Sequence, residues 1–268
     1  MPRPRAYKMP GTALVTGGAR RIGRAIALAL AHDGWNVAVH YASSREEALA
    51  AVAEIEALGR RACAVNRDLA VEAGVKSLLA EVEGEIGRVG CVVNNASLFE
   101  YDAAADFGAA RLARHMQVNV AAPVLLAQQL AAGLDAKEQG VVINLLDQKL
   151  WNPNPDFLSY TLSKAALAEA TTLLAQALAP RVRVVGVAPG ITLLSERQSD
   201  EGFALAHGKT VLGRSSTPED VAQAVCYAAR AQAVTGTTLL VDGGQHLTPS
   251  PRDVMFLTER RKTETPRG

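Results

Sequence analysis

The stretch Gly11-Thr-Ala-Leu-Val-Thr-Gly-Gly-Ala-Arg-Arg-Ile-Gly23 decides the fold. Its first part, up to Val15, is a short apolar run suited to a buried strand. Gly17, Gly18 and Gly23 mark a tight turn, and Ile22, Ile26, Leu28 and Leu30 supply the apolar positions of a following helix. A strand that enters a helix through glycines makes a phosphate cradle. The small residues let the backbone approach a pyrophosphate, and the helix N-terminus offers unpaired N–H groups and the positive end of its dipole. Glycines also serve tight turns for steric reasons alone, so the pattern of the remaining chain carries more weight than the turn itself.

Beyond Gly23 the same unit repeats. Apolar runs at Trp35–Tyr41, Arg61–Asn66, Val89–Asn95, Gly140–Leu146, Arg181–Val187 and Thr237–Val241 alternate with helical segments, among them an alanine-rich helix ending near Gly59 and one across Val71–Ile86. Short continuous apolar strands between helices indicate a parallel sheet covered on both faces. The expected fold is α/β, a doubly wound parallel sheet in a single Rossmann-type domain. It should span residues 11–248, between a flexible arm at 1–10 and a C-terminal tail at 249–268.

The 268 residues, 49% of them hydrophobic, suffice for one substantial core. A formal net charge of +1 points to neither nucleic acid nor an anionic membrane as partner. No apolar run approaches the roughly 20 residues of a membrane span. The arm carries Arg3, Arg5 and Lys8 but lacks the apolar centre of a secretory signal, so a cytoplasmic protein is expected. Cys63, Cys91 and Cys226 lie far apart and read as reduced, buried thiols. The histidines show no metal-ligand spacing and no metal is expected. His32, His115 and His207 read as surface or packing residues, whereas His40 ends the second strand.

Chemistry is suggested by Tyr160 and Lys164, four residues apart and so on one helix face. An ammonium beside a phenol favours the phenolate and would draw it down from its ordinary pKa of about 10. Asp147 stands thirteen residues before Tyr160.

Thr16-Gly17 through Gly23, Asn94-Asn-Ala96, Asn119, Tyr160-x-x-x-Lys164 and Pro189-Gly190, taken in order, resemble the short-chain dehydrogenase/reductase family over roughly residues 11–247. The resemblance implies a catalytic set of Asp147, Tyr160, Lys164 and Asn119, the last helping to hold a proton-relay water. It implies a cofactor set of Gly17, Arg20, Arg21, Ile22, Gly23, His40, Tyr41, Ser43, Ser44, Asp68, Asn95, Ala96, Ser97, Lys164, Pro189, Gly190 and Thr192. Residues 191–216 would form the substrate lid. The family is generally tetrameric, so a homotetramer is expected. The apolar quartet Val254–Leu257 before the charged Glu259–Lys262 then needs cover from a neighbouring subunit or from its own chain.

Enzymes that use NAD place an acid at the end of the second strand. Here Val39-His-Tyr-Ala-Ser-Ser-Arg45 holds none before Glu46. A 2′-phosphate can instead be met by Arg20 or Arg21, His40, Ser43 and Ser44, which favours NADP(H). Alternatively Ser43 caps the next helix, with Glu46 completing a capping box.

Two departures narrow the substrate. Arg21 replaces the middle glycine of the cofactor turn, and Asp147 stands where the family has its catalytic serine. With Ser97 and Phe99 these residues resemble the pteridine reductase branch. An ionised carboxylate only accepts hydrogen bonds, which suits a substrate with N–H groups better than a ketone. The expected substrate is a pterin met by Arg21, Ser97, Phe99, Asp147 and Tyr160, with Phe99 stacking on its ring. A carbonyl or enone reductase of the same family, or a non-catalytic NADP(H) sensor, are the rival readings.

Overall fold

The computed structural model describes residue 9 and residues 11–194 and 199–258. The rest of the expected arm, lid residues 195–198 and the charged end 259–262 lie outside the described residues. Among the described residues the chain runs β1 (Thr12–Val15), α1 (Arg21–His32), β2 (Asn36–Tyr41), α2 (Arg45–Ala57), β3 (Ala62–Asn66), α3 (Glu72–Ile86) and β4 (Val89–Asn94). Next come α4 (Ala109–Met116), a π-helical turn (Gln117–Ala121), α5 (Ala122–Gly133), β5 (Gly140–Leu145), a 3-10 turn (Gln148–Leu150), α6 (Leu158–Leu178) and β6 (Val182–Pro189). The last part holds α7 (Asp200–Gly208), α8 (Pro218–Arg230), β7 (Thr238–Val241), a second 3-10 turn (Gln245–Leu247) and α9 (Val254–Thr258).

The expected strands form with small shifts at their ends. Trp35 stays outside β2 because its N–H donates to Leu30 O at the end of α1. β6 runs on to Pro189, beyond the Val187 expected. The capping box at Ser43 and Glu46 does not form: Ser44 is the N-cap of α2 and its side chain makes no capping bond. The box appears at α8 instead, between Thr217 and Asp220.

All seven strands are parallel, in the order β3-β2-β1-β4-β5-β6-β7. Strand residues alternate faces with period two. Ala13, Val15, Val37, Val39, Cys91, Val93, Val141, Ile143, Val185 and Val187 share one core with Ile26, Leu30, Ile55 and Val225 of α1, α2 and α8. Leu14, Ala38, Val92, Val142 and Val184 share the other with Leu78, Val82 and Leu126 of α3 and α5. Both faces are thus dry, which is why the strand runs read as continuously apolar. Each fully buried Leu or Ile stabilises the sheet sandwich by roughly 2–3 kcal/mol.

The order reverses between β1 and β4. Loops leaving adjacent carboxyl ends there go to opposite faces and open a crevice, the usual ligand position in such sheets. No helix among the described residues is long and apolar enough to cross a membrane.

Candidate active site

The crevice begins at the glycine turn. Gly17 has a left-handed backbone (φ +62°), and a Cβ on Gly23 would lie 2.0 Å from Gly17 O and 2.6 Å from the Asn95 side-chain nitrogen. Only glycine packs α1 this close to the strand end. Asn95 fixes the loop by donating from Nδ2 to the carbonyls of Thr16 (2.9 Å) and Gly17 (3.1 Å), while Thr16 Oγ1 accepts from the N–H groups of Asn95 and Ala96. Arg21 also adopts a left-handed backbone, φ +53°. Such a backbone costs a non-glycine residue roughly 1–2 kcal/mol.

Two adjoining cavities occupy the crevice. One of about 410 Å³ is lined by Gly17, Arg20 to Gly23, Tyr41 to Ser44 and Asn95 to Ser97, with no carboxylate among its lining residues. The other, about 320 Å³, holds Phe99, Asp147, Tyr160, Lys164, Pro189, Gly190 and Thr192. Arg21, Ile22, Asn95 and Ser97 border both.

The second cavity carries the titratable groups. Asp147 follows β5 in extended conformation and caps the 3-10 turn, its Oδ1 accepting from Lys149 N–H at 2.8 Å. Its Oδ2 accepts from the Tyr160 hydroxyl at 2.8 Å. Tyr160 sits in the first turn of α6, which Asp102 anchors by accepting from the backbone N–H and the hydroxyl of Ser159. Lys164, one turn on, donates to Leu145 O at 2.7 Å and lies 5.7 Å from the centre of the Tyr160 ring.

The electrostatics correct one expectation. Burial, and then the Asp147 carboxylate facing it, hold the Tyr160 phenol well above its ordinary value. Lys164 was expected to draw it down, but its ammonium is directed at Leu145 O and the phenol's hydrogen-bond partner is an acid. Burial also raises Asp147, with the bonds from Lys149 and Tyr160 opposing, and brings Lys164 down to about 8. The site therefore holds its proton on the phenol, aimed at a carboxylate.

Several expected residues do other work. His40 is 2% exposed; its Nδ1 accepts from Gly17 N–H at 3.2 Å and its Nε2 donates to Arg67 O at 2.9 Å. Both ring nitrogens serve the fold, and burial lowers the ring's pKa, so His40 is a neutral support beneath the turn instead of a phosphate ligand. Asp68 accepts from Ala70 N–H and borders neither cavity. Asn94 is buried and donates to Asn144, so it braces β4 against β5. Asn119, inside the π-helical turn, holds the Leu98 backbone through both side-chain atoms (2.7 and 3.0 Å) and donates to Ser163. The Arg21 guanidinium donates twice to Leu194 O, 3.1 Å each, within the segment expected as a lid. Thr192 Oγ1 donates to Gly190 O and pairs with Ser216. Phe99 is half-exposed and stacks on Phe157 (4.4 Å, 15°), with Tyr160 edge-on at 4.7 Å.

Sequence reasoning missed one side of the cavity. Lys149, Gln245, Asp253 and Val254 line it, and the last two belong to the segment expected as a tail. Arg252 grips the Asp156 carboxylate through Nε and Nη2 (2.7–3.0 Å), and Phe256 meets Tyr101 and Phe157. Phe256 of the apolar quartet thus packs on its own chain, while Leu257 stays exposed. A local signal existed in the Arg252-Asp253 pair flanking the quartet, but nothing in it names Asp156 or Lys149 as partners. Cys63, Cys91 and Cys226 are free thiols, and among the described residues no cluster of His, Cys, Asp and Glu suits a metal.

A nucleotide-cradling turn at the switch point of a parallel sheet, with a Tyr-Lys pair on α6 beside the end of β5, defines a dinucleotide-dependent oxidoreductase. Residues 11–202 match the family described as short chain dehydrogenase, and the chain belongs to that family. Among solved structures it is similar to FolM alternative dihydrofolate reductase 1 from Brucella suis in complex with NADP: 43% identity, TM-score 0.85, 89% of this chain and 96% of that one. The Brucella canis protein of the same name, complexed with NADP, is 42% identical with TM-score 0.86, over 93% and 98% of the two chains. Among curated proteins, the 3-oxoacyl-(acyl-carrier-protein) reductase FabG of Staphylococcus aureus is 33% identical over 90% of this chain and 100% of its own.

Proposed function

We propose that the protein is an NADPH-dependent pteridine reductase that adds hydride to a C=N bond of a dihydropterin. The observation that carries this reading is the buried carboxylate of Asp147 accepting from Tyr160 within the cavity bordered by Phe99. The similarity to the two NADP-bound FolM proteins supports it.

The first cavity fits the cofactor. A Cβ at Gly23 would fill the cradle, and the strand-end side of the cavity presents Arg20, Ser43 and Ser44 with no acid, which suits a 2′-phosphate. Gly17, Ile22, Gly23, Asn95 and Ala96 would hold the pyrophosphate and adenosine side, and Pro189, Gly190 and Thr192 the nicotinamide. NADPH supplies the hydride when bound.

The chain's own residues handle the proton. Hydride at carbon and a proton at nitrogen turn C=N into CH–NH, and the proton comes from the Tyr160 hydroxyl. Asp147 accepts hydrogen bonds from the N–H and amino groups of the pterin, which a serine in its place does less well. That competition releases the phenol's hydrogen from Asp147 toward the ring nitrogen. Lys164, with its pKa of about 8, stands one turn away to restore the proton. Phe99, braced by Phe157, offers an aromatic face to the flat ring.

Carbonyl reduction is the second reading, because burial raises Asp147 and a protonated carboxyl donates to a ketone. The likeness to FabG supports it. The deciding assay follows NADPH and NADH oxidation with dihydrobiopterin and dihydromonapterin beside ketones, quinones and an acetoacetyl thioester. Turnover of ketones without pterins rejects the pterin reading, and a preference for NADH rejects the cofactor reading. A homotetramer is the proposed assembly, tested by light scattering.

A further inference from the structure

Lys149 and Asp253 border the substrate cavity although neither hands a proton or a hydride to anything. Lys149 is 3% exposed. Its Nζ donates to Asp156 O (2.6 Å) and to Asp253 Oδ2 (3.3 Å), and it stands 5.3 Å from the centre of the Phe157 ring. Its backbone N–H is the one that Asp147 Oδ1 accepts. Lys149 thus joins the acid of the site, the residue that stacks on Phe99 and the C-terminal segment.

The segment is fastened from the other side too. Asp156 accepts from Asp253 N–H at 2.7 Å as well as from Arg252, whose guanidinium lies over the Phe256 ring at 5.0 Å. A buried ammonium is costly unless paired, and a buried ion pair adds little to stability compared with apolar packing of the same volume. The charge also reaches the chemistry, since Asp253 raises the proton affinity of both Asp147 and Tyr160. The other charged groups around that pair are Lys164 from α6, Lys149 from the 3-10 turn and Arg21 from the glycine turn, with Asp156 and Arg252 behind Lys149.

We propose that Asp253 is a positioning residue of the reductase site: acting through Lys149, it fixes the Asp147 carboxylate against Tyr160 and makes residues 252–256 part of the catalytic apparatus. The proposal rests on Asp147 and Tyr160 handling the proton, and is independent of which substrate class receives it.

The test uses the full chain as wild type, Asp253→Asn, Asp253→Glu and the double variant Lys149→Met with Asp253→Leu, which removes both charges and keeps the packing volume. kcat, KM and the pH profile are measured with whichever substrate the wild type reduces, a dihydropterin or an acetoacetyl thioester. Failure of the pterin reading then shows in the wild type alone. Asp253→Asn is expected to lower kcat about tenfold with KM for NADPH unchanged, since small misplacements of reacting groups have effects of this size or more. The pH limb set by the Asp147–Tyr160 pair should move down by about one unit, because loss of a neighbouring negative charge eases proton release. Asp253→Glu should restore most of the rate, and the double variant should fold and stay slow. A wild-type pH profile and a kcat within about twofold in Asp253→Asn, or a wild-type rate in the double variant, overturns the proposal and leaves a plain anchor.

Discussion

Replacing Asp147 by Asn tests the proposed chemistry at its centre. The amide is isosteric, but its single oxygen replaces only one of the two that accept from Lys149 N–H and from the Tyr160 hydroxyl; with that oxygen kept on Lys149, the NH2 group faces the phenol. What it removes is the charge and the acceptor that faces Tyr160. Hydrogen bonds to charged groups contribute about 1.5–3 kcal/mol, which is the size of the Tyr160 bond that is lost. A positioned acid–base group contributes 10²–10⁴-fold. The expected fall in kcat with a dihydropterin is about 10²–10³, or roughly 3–4 kcal/mol at 1.36 kcal/mol per decade. Stability should move the other way. Burial raises the folded pKa of Asp147, so its stabilising contribution is fully present below the unfolded pKa and is lost as pH rises through the folded value. Neutral pH lies on the unfavourable side, and Asp147→Asn should melt at or above the wild-type temperature there while losing activity. The assay is stopped-flow NADPH oxidation beside a thermal melt of each variant. An Asn variant that keeps pterin turnover within about threefold refutes the reasoning. Asp147→Ser is the companion: it should lose pterin turnover and keep or gain ketone turnover.

Gly23→Ala puts a methyl group 2.0 Å from Gly17 O, so NADPH binding followed by fluorescence should weaken at least about tenfold, with a destabilisation of roughly 1–3 kcal/mol by overpacking. Turnover should decline above a pH of about 8, where Lys164 loses its proton. Because that folded pKa is depressed, the lysine's stability contribution is present above its unfolded pKa and lost as pH falls through about 8. Lys164→Met should therefore abolish the basic limb while raising the melting temperature at neutral pH. An unchanged basic limb in that variant would assign the limb to another group. Arg21→Gly relieves a left-handed backbone and should raise the melting temperature by a few degrees, since roughly 1 kcal/mol corresponds to about 2–4 °C for a chain of this size. The same change should raise KM for the substrate, as Arg21 borders both cavities; a lower melting temperature would show that its bonds to Leu194 outweigh the strain.

Local sequence accounts for the layers and for the gathering of Asp147, Tyr160 and Lys164 at one cavity. The strand, glycine turn and helix of Gly11–Gly23 depend on local sterics, and the alternating apolar runs on periodicity, both of which are written in neighbouring residues. Tyr160 and Lys164 share a face because a helix repeats every 3.6 residues, and Asp147 was found by its spacing to them. Tertiary structure decided what spacing does not encode. His40 turned from phosphate ligand to neutral support because the glycine turn folds over β2 and takes up its Nδ1. The direction of the Tyr160 shift depended on which charged group ends up facing the phenol, and that was set where the end of β5 meets α6. The wall made by Lys149 and Asp253 joins residues 104 positions apart. No local pattern specifies such a pair; only the return of the chain beyond β7 brings the carboxylate to the ammonium.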